Sequence, residues 1–162
     1  MISRNTPWNC EQSWTKGRKE DPFLLKPAVK NYLWGGRRLK DEFLKETEIF
    51  PLAETWECSA HSNGSSIVAS GRFAGMTLAK VLQKHPNLLG IHARTTEELP
   101  ILLKLIDAKQ DLSIQVHPDD TYAATYEDGQ LGKSEMWYIL DAEPGAELIY
   151  GLRHNMDKHS LH

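Results

Sequence analysis

The sequence predicts one mainly β domain, on three observations. Apolar and polar residues alternate in Leu52–Ala60 and Leu112–His117, which is the period of a half-buried strand. A turn-forming stretch, His61–Ser66, follows the first of these segments. One longer segment, Met76–Leu89, has the apolar period of a helix. With 162 residues, 40% of them hydrophobic and 25% charged, the chain can form the core of one soluble domain.

The first 21 residues, Met1–Asp21, are polar and have no clear period. Trp8 and Trp14 are their only large apolar groups, so we expect a flexible N-terminal extension. A docking arm that uses the two tryptophans is the alternative. The segment has no apolar region typical of a secretory signal, and the chain has no run of about 20 apolar residues that would predict a membrane span.

Charge and cysteine content exclude several classes of function. The net charge of -3 gives no indication of nucleic-acid or membrane binding. The two cysteines, Cys10 and Cys58, form neither a disulfide framework nor a C-x-x-C pair. This usage fits a reducing compartment, so we expect a cytoplasmic protein.

The domain begins with a short predicted strand, Phe23–Leu25, which Pro27 restricts to an edge or a bend because proline lacks a ladder donor. Asn31–Gly36 is an aromatic turn that ends in two glycines, which permit a close backbone approach. A short helix is predicted for Arg37–Glu46. Its apolar side comprises Leu39, Phe43 and Leu44.

The middle of the chain alternates predicted strands and one helix. In Leu52–Ala60 the carboxylates of Glu54 and Glu57 point to opposite faces, so they cannot both belong to one pocket. A short strand is predicted for Ser66–Ser70. Thr77 is the predicted N-cap of the helix. The apolar stripe of this helix comprises Leu78, Val81 and Leu82.

Pro100–Ala108 is a nearly continuous apolar run that predicts a buried strand. The chain then turns at Lys109–Asp111 into the segment Leu112–His117. The two strands are therefore predicted to form a hairpin. A last short strand is predicted for Glu147–Tyr150.

Two predicted strands bring together groups that can bind a metal. In Leu112–His117, Gln115 and His117 share one face, and in Ser134–Leu140, Glu135 lies on the same face as an aromatic residue, Trp137. If the strands are neighbours, these three polar groups form a site with nitrogen and oxygen ligands. Such ligands suit zinc, with manganese or iron(II) as alternatives. The alternative for His117 is a solvated or hydrogen-bonded histidine without a metal.

Lys133 precedes Glu135 by two residues, so on a regular strand it faces the same pocket. Its ammonium group can hold a phosphate or a sugar oxyanion, or transfer a proton if burial lowers its pKa. A surface lysine at the start of a strand is the alternative. In the connection before it, Asp119 or Asp120 is predicted to cap a short helix.

The stretch QVHPDDTYA, followed by GKSEMWYIL, resembles the metal-binding signature of type I mannose-6-phosphate isomerases. The resemblance extends to PFLLKPAVKNYLWGG and LAETWECSAH and covers about Pro22 to Gly151. It implies a cupin-like jelly-roll, here an incomplete barrel with a small helical insert, and isomerisation of mannose 6-phosphate to fructose 6-phosphate. It also implies one zinc ion on Gln115, His117 and Glu135, a catalytic and substrate-binding Lys133, and Trp34 beside the substrate.

The resemblance fails beyond this point. The family has a second histidine ligand, in a later glycine- and proline-rich segment, and an arginine near the reacting sugar. The chain shows neither, so residues 22–162 are expected to be a truncated catalytic domain with little or no activity alone. A missing C-terminal half, or self-association, would then supply the partner. The alternative is a non-catalytic cupin-like module that binds metal or sugar.

Overall fold

The structure, a computed structural model, describes residues 22–90 and 99–154. The chain divides into an N-terminal unit, Met1–Asp111, and a C-terminal unit, Leu112–His162. The predicted N-terminal extension, Met1–Asp21, lies outside the described residues, and its flexibility stays a prediction.

The first sheet of the N-terminal unit has two antiparallel strands. Strand β1, Leu25–Lys26, pairs with β4, Ile67–Val68, with Leu25 opposite Val68. Pro27 separates β1 from the next strand, β2, Ala28–Lys30, which belongs to another sheet. The bend predicted at Pro27 is therefore confirmed, because a residue without an N–H cannot continue the ladder.

The second sheet has the strand order β2-β3-β5 and is antiparallel throughout. Its central strand β3, Glu54–Cys58, confirms the predicted strand over Leu52–Ala60 within narrower bounds. Strand β5, Leu103–Ile106, likewise falls inside the predicted run Pro100–Ala108. It is a partly exposed edge strand rather than a buried one.

The predicted hairpin between β5 and the segment Leu112–His117 is wrong. Strand β5 pairs with β3, so that Leu105 lies opposite Thr55. After β5, the backbone N–H groups of Lys109 and Gln110 both donate to the carbonyl of Trp34, at 2.9 and 3.1 Å. These bonds hold the turn residues to the carbonyl of Trp34, and the segment Leu112–His117 forms no ladder in the structure.

Helix α1, Arg38–Asp41, is shorter than the predicted helix over Arg37–Glu46. It ends because Leu44 adopts a positive φ of 52°, and Lys45 N–H donates back to the carbonyl of Leu39 at 3.0 Å. Only Leu39 of the predicted apolar side is buried, whereas Phe43 and Leu44 are exposed.

Helix α2, Leu78–Lys84, confirms the helix predicted within Met76–Leu89. Thr77 caps it by accepting a hydrogen bond from the backbone N–H of Lys80, at 3.3 Å. The predicted stripe is buried, and Pro86 begins a separate 3-10 helix, Pro86–Leu89. A small core forms where α2 meets β4 and a second 3-10 helix, Gly71–Phe73. Its buried residues are Val68, Phe73 and Val81.

The C-terminal unit contains one helix in its described part, α3, Asp120–Tyr126. The strands predicted at Leu112–His117, Ser134–Leu140 and Glu147–Tyr150 are wrong, because none of these segments forms a ladder in the structure. Their period-two apolar side chains lie in solvent, with Ile114 75% and Met136 90% exposed. A strand needs both a pairing partner and a covered face, and these segments have neither.

The fold of the described residues consists of sheets with a few short helices, which confirms its predicted mainly β character. Over residues 22–90 and 99–154 the sheets do not close into a barrel, and the jelly-roll stays a prediction. Within the same ranges, the helices are too short and too polar to cross a lipid bilayer.

Candidate functional site

Three charged or titratable side chains of the C-terminal unit meet in what we call the charged cluster: His117, Lys133 and Glu135. His117 Nε2 lies 2.9 Å from Glu135 Oε2, and Lys133 Nζ lies 2.8 Å from Glu135 Oε1. Lys133 Nζ is also 3.4 Å from His117 Nε2. Both oxygens of one carboxylate therefore have partners, and the lysine and histidine nitrogens face each other.

Backbone contacts on both sides of α3 bring the cluster together. Asp119 caps the helix by accepting from Tyr122 N–H at 2.7 Å. The neighbouring carboxylate of Asp120 accepts from Gly132 N–H at 2.9 Å, and Lys133 N–H donates to the carbonyl of Pro118 at 3.1 Å. The residues just after His117 are thus tied to the residues just before Glu135, so the loop ends close on each other.

Gly132 permits this closure through its lack of a side chain. A Cβ at this position would lie 2.5 Å from the backbone of both Asp119 and Asp120, closer than real Cβ atoms come to heavy atoms of non-adjacent residues. Sequence reasoning missed the hydrogen bond between Gly132 N–H and the Asp120 carboxylate, which closes the loop. The available signal was a helix cap beside a second aspartate, followed across one loop by a glycine.

The electrostatics of the cluster keep Glu135 ionised. Burial by itself would raise the pKa of this carboxyl. The hydrogen bonds from Lys133 and His117, the charge of Lys133 and the indole of Trp137 outweigh burial and lower the pKa of Glu135 to about 2. Glu135 is therefore an anion at neutral pH, ready to bind a cation.

Trp137 lies beside the cluster, as the sequence predicted. Its indole nitrogen is 3.5 Å from Glu135 Oε2, although the segment is not a strand. Gln115 makes a different contact, since its side-chain nitrogen donates to Ser113 Oγ at 3.0 Å. The amide oxygen is the atom of Gln115 that could bind a metal, and its ligand role stays a prediction.

The donor atoms of His117 and Glu135 fit a zinc ion. Bond lengths of about 2.0–2.2 Å to an imidazole nitrogen and a carboxylate oxygen place two tetrahedral ligands roughly 3.3 Å apart. The observed 2.9 Å differs from that by a few tenths of an ångström. Across the described ranges no group of three or more His, Cys, Asp or Glu side chains gathers around a point. A third ligand would have to be another type of side chain, such as a glutamine, or come from outside these ranges.

Trp34, the predicted substrate-wall residue, belongs to the N-terminal unit. Its ring stacks on Tyr32, with centroids 5.5 Å apart. Its carbonyl accepts the two N–H groups that follow β5, as described above. Gly35 packs against Ala53, where an added Cβ would lie 2.6 Å from the Ala53 Cα, and Gly36 packs against the carboxylate of Asp107. The aromatic turn is therefore fixed by its backbone, and a role of Trp34 in substrate binding stays a prediction.

A second polar group occurs on β3. Glu54 is buried, accepts from the indole of Trp56 at 2.6 Å and pairs with Lys104 of β5 at 3.4 Å. Glu57 instead contacts Thr55 and forms an ion pair with Lys45 at 2.8 Å. The two carboxylates have separate partners on separate faces, as the alternation of the strand predicts.

The chain matches the family model described as phosphomannose isomerase type I, catalytic domain, over residues 23–148. It is 47% identical to the probable mannose-6-phosphate isomerase GmuF of Bacillus subtilis, over 80% of this chain and 41% of that protein. It is 43% identical to mannose-6-phosphate isomerase ManA of Bacillus subtilis, over 81% of this chain and 41% of that protein.

The chain also resembles solved structures of phosphomannose isomerases. The mannose 6-phosphate isomerase from Bacillus subtilis superposes with a TM-score of 0.70 at 41% identity, covering 76% of this chain and 39% of that one. A variant of phosphomannose isomerase from Salmonella typhimurium gives 0.52 at 30% identity, covering 62% and 26%. The chain thus spans about two fifths of the length of the Bacillus subtilis relatives, each of which has 41% of its length covered.

Proposed function

Because the chain belongs to the family of type I phosphomannose isomerase catalytic domains, we propose that it supplies the metal-binding part of an aldose–ketose isomerase. The substrate pair is mannose 6-phosphate and fructose 6-phosphate. The observation that carries the proposal is the convergence of His117 Nε2 and the ionised Glu135 carboxylate, with Lys133 beside both.

Zinc is the ion we propose, held by His117, Glu135 and the amide oxygen of Gln115. When bound, it supplies a Lewis acid that polarises the substrate carbonyl and stabilises the negative charge that develops during the reaction. An imidazole and a carboxylate suit zinc, whereas magnesium and calcium prefer oxygen ligands alone.

Aldose–ketose isomerisation moves a proton between C2 and C1 of the sugar through an enediol. Lys133 carries the charge needed to hold a sugar oxyanion or the phosphate, as a compact cation on a flexible stem. A nearby acid–base group shuttles the proton. Lys133 is the candidate for this role, because its ammonium group reaches the carboxylate and the imidazole and can equally reach a substrate oxygen. Trp34 is proposed to line the sugar site.

We further propose that the active protein is a cupin-like jelly-roll to which this chain contributes the N-terminal portion, with residues 1–21 as an extension. The exposed apolar run Met136–Leu140 supports this, because a contiguous exposed apolar stretch is typical of a surface that packs against further polypeptide. A cytoplasmic location is proposed, since the free thiol of Cys58 fits a reducing compartment.

Complementation tests the proposal. The chain is mixed with a separately produced polypeptide that contains the portion of Bacillus subtilis ManA that it does not match, and conversion of mannose 6-phosphate is measured with and without zinc. We expect little or no turnover from the chain alone and zinc-dependent turnover from the mixture. His117→Ala and Lys133→Met should each remove it. Turnover that survives either substitution would show that the site is elsewhere.

One observation favours a second candidate function, a cupin-like module that binds metal or sugar without catalysis. Two proposed ligands of the charged cluster and one candidate amide make a sparse zinc site, and binding alone needs less than catalysis does. Zinc binding together with no turnover in the complemented mixture would favour this module. If copies of the chain associate with each other rather than with the added polypeptide, light scattering would show dimers of the chain.

A further inference from the structure

The ammonium group of Lys133 contacts the side chains that are proposed to bind the metal. It is 2.8 Å from Glu135 Oε1 and 3.4 Å from His117 Nε2, so it contacts the two side chains with the clearest ligand chemistry. Its side chain is 45% exposed, which leaves the ammonium group free to move into solvent. The cluster therefore holds a positive charge of its own without any metal.

We propose that Lys133 is an internal counter-cation that competes with the metal for Glu135 and His117 and is released when the metal binds. The inference rests on the metal site proposed above. In the metal-free protein the lysine neutralises Glu135 and keeps the carboxylate beside the imidazole. Metal binding draws on the same carboxylate and repels the ammonium group, because two cations a few ångströms apart interact unfavourably.

This competition links two events in the cycle. While Glu135 binds Lys133, the ammonium group is not available to an anionic substrate. Once the metal takes Glu135, the ammonium group can turn toward a sugar oxyanion or a phosphate oxygen. Lys133, which weakens metal binding, is then also the side chain that contacts the substrate. The metal must bind before the ammonium group of Lys133 becomes available. By linkage, an anion that binds the released lysine must also strengthen metal binding.

A matched pair of lysines allows a test that needs no turnover. Lys45 pairs with Glu57 at 2.8 Å, the same distance as in the Lys133–Glu135 pair, and the two glutamates are 23% and 26% exposed. The Lys45 pair lies in the N-terminal unit. Lys45→Met thus removes the same charge and breaks a similar ion pair that includes none of the candidate metal ligands.

Zinc affinity is measured by competition with a chelating indicator for the unaltered chain, Lys133→Met, Lys133→Arg and Lys45→Met. We expect Lys133→Met to bind zinc about tenfold more tightly than the unaltered chain, since a partly exposed charge of this kind is worth roughly that factor. Lys133→Arg keeps the charge and should stay within about threefold of the unaltered chain, and Lys45→Met should leave the affinity unchanged.

Each result decides between the two proposals. Equal or weaker zinc binding by Lys133→Met, in a chain that itself binds zinc, overturns the counter-cation and leaves the metal site intact. If the Lys133→Met variant binds zinc and the unaltered chain does not, the lysine is a strong competitor and the inference holds. If neither binds zinc, the metal site of the proposed function fails, and the inference fails with it.

Discussion

Helices α2 and α3 each have seven residues and begin at a side-chain cap, yet they differ in what they pack against. Helix α2 buries Leu78, Val81 and Leu82 in the N-terminal unit. In the C-terminal unit, the one buried residue of α3 is Ala123. The difference extends to the units in their described parts: one is held by apolar packing and sheet ladders, the other by hydrogen bonds and ion pairs.

The comparison shows that the charged cluster and most of the buried apolar residues belong to different segments of the chain. The charged cluster belongs to the unit with little buried apolar surface, so its geometry depends on the Asp120–Gly132 and Lys133–Pro118 contacts. Polar contacts of this kind are worth about 1 kcal/mol each. Buried leucines are worth several times more. The candidate site is therefore the less strongly held part.

The largest expected effect is on zinc binding, which should respond to a substitution in the C-terminal unit but not to one in the N-terminal unit. His117→Ala removes a proposed ligand and should abolish zinc binding, because a carboxylate and an amide oxygen make a weak site. His85→Ala, in the N-terminal unit, removes an imidazole that packs 4.8 Å from the ring of Phe73, and it should leave zinc binding unchanged. Metal content after dialysis measures both. Equal zinc in the two variants would contradict the assignment of the site.

A matched pair of leucines tests the difference in packing. Leu52 is fully buried, and Leu52→Ala should lower the free energy of unfolding by about 2–5 kcal/mol. Leu140 is 59% exposed, and Leu140→Ala should change it by less than about 0.5 kcal/mol. Urea unfolding followed by circular dichroism measures both values. A large loss from Leu140→Ala would mean that the C-terminal unit has a packed core in solution.

Removing the cap of each helix should have a smaller effect, which differs between α2 and α3. Asp119→Ala and Thr77→Ala each remove a cap worth about 1 kcal/mol. Helix α2 keeps its buried stripe, so its amide protons should stay protected, whereas those of α3 should exchange about fivefold faster or more. Hydrogen–deuterium exchange with mass spectrometry reads both helices in one sample. Similar deprotection of the two would show that packing does not distinguish them.

The smallest effect expected is on the thiol of Cys58, at the end of β3. Burial raises the pKa of this thiol, so less thiolate is present at a given pH and alkylation is slower. In a Cys10→Ser background, Cys58 should react with iodoacetamide at pH 8 several-fold more slowly than free cysteine does. Denaturant should remove the difference. A rate equal to that of free cysteine would mean that β3 opens readily.

The features that the sequence predicted correctly depend on interactions between residues that are close in the chain. Helices α2 and α3 and their caps depend on residues within one turn, and they were predicted correctly. The partner of β5 depends on Thr55, fifty residues earlier, and on the Trp34 carbonyl, so local alternation predicted the wrong hairpin. The end of α1 depends on the positive φ of Leu44, for which a leucine gives no signal.

The candidate site shows the same limit in another form. The sequence placed His117, Lys133 and Glu135 together for a partly wrong reason, since the structure joins them by a closed loop rather than by neighbouring strands. The tie between Asp120 and Gly132 crosses twelve residues and leaves no periodic pattern, so it could not be predicted. Gln115 and Trp34 were singled out as a ligand and a substrate wall, and these roles stay predictions.

The paired glycines of the aromatic turn have a consequence for inheritance. Gly35 packs on the backbone of Ala53, and Gly36 packs on the carboxylate of Asp107, which accepts Arg38 N–H at 2.7 Å. Every missense change of a glycine codon adds a Cβ, so no substitution at these two positions is conservative. Two codons that encode no reactive atom are then constrained by packing alone. In a gene lineage that retains this packing, we expect glycine to be kept at both positions.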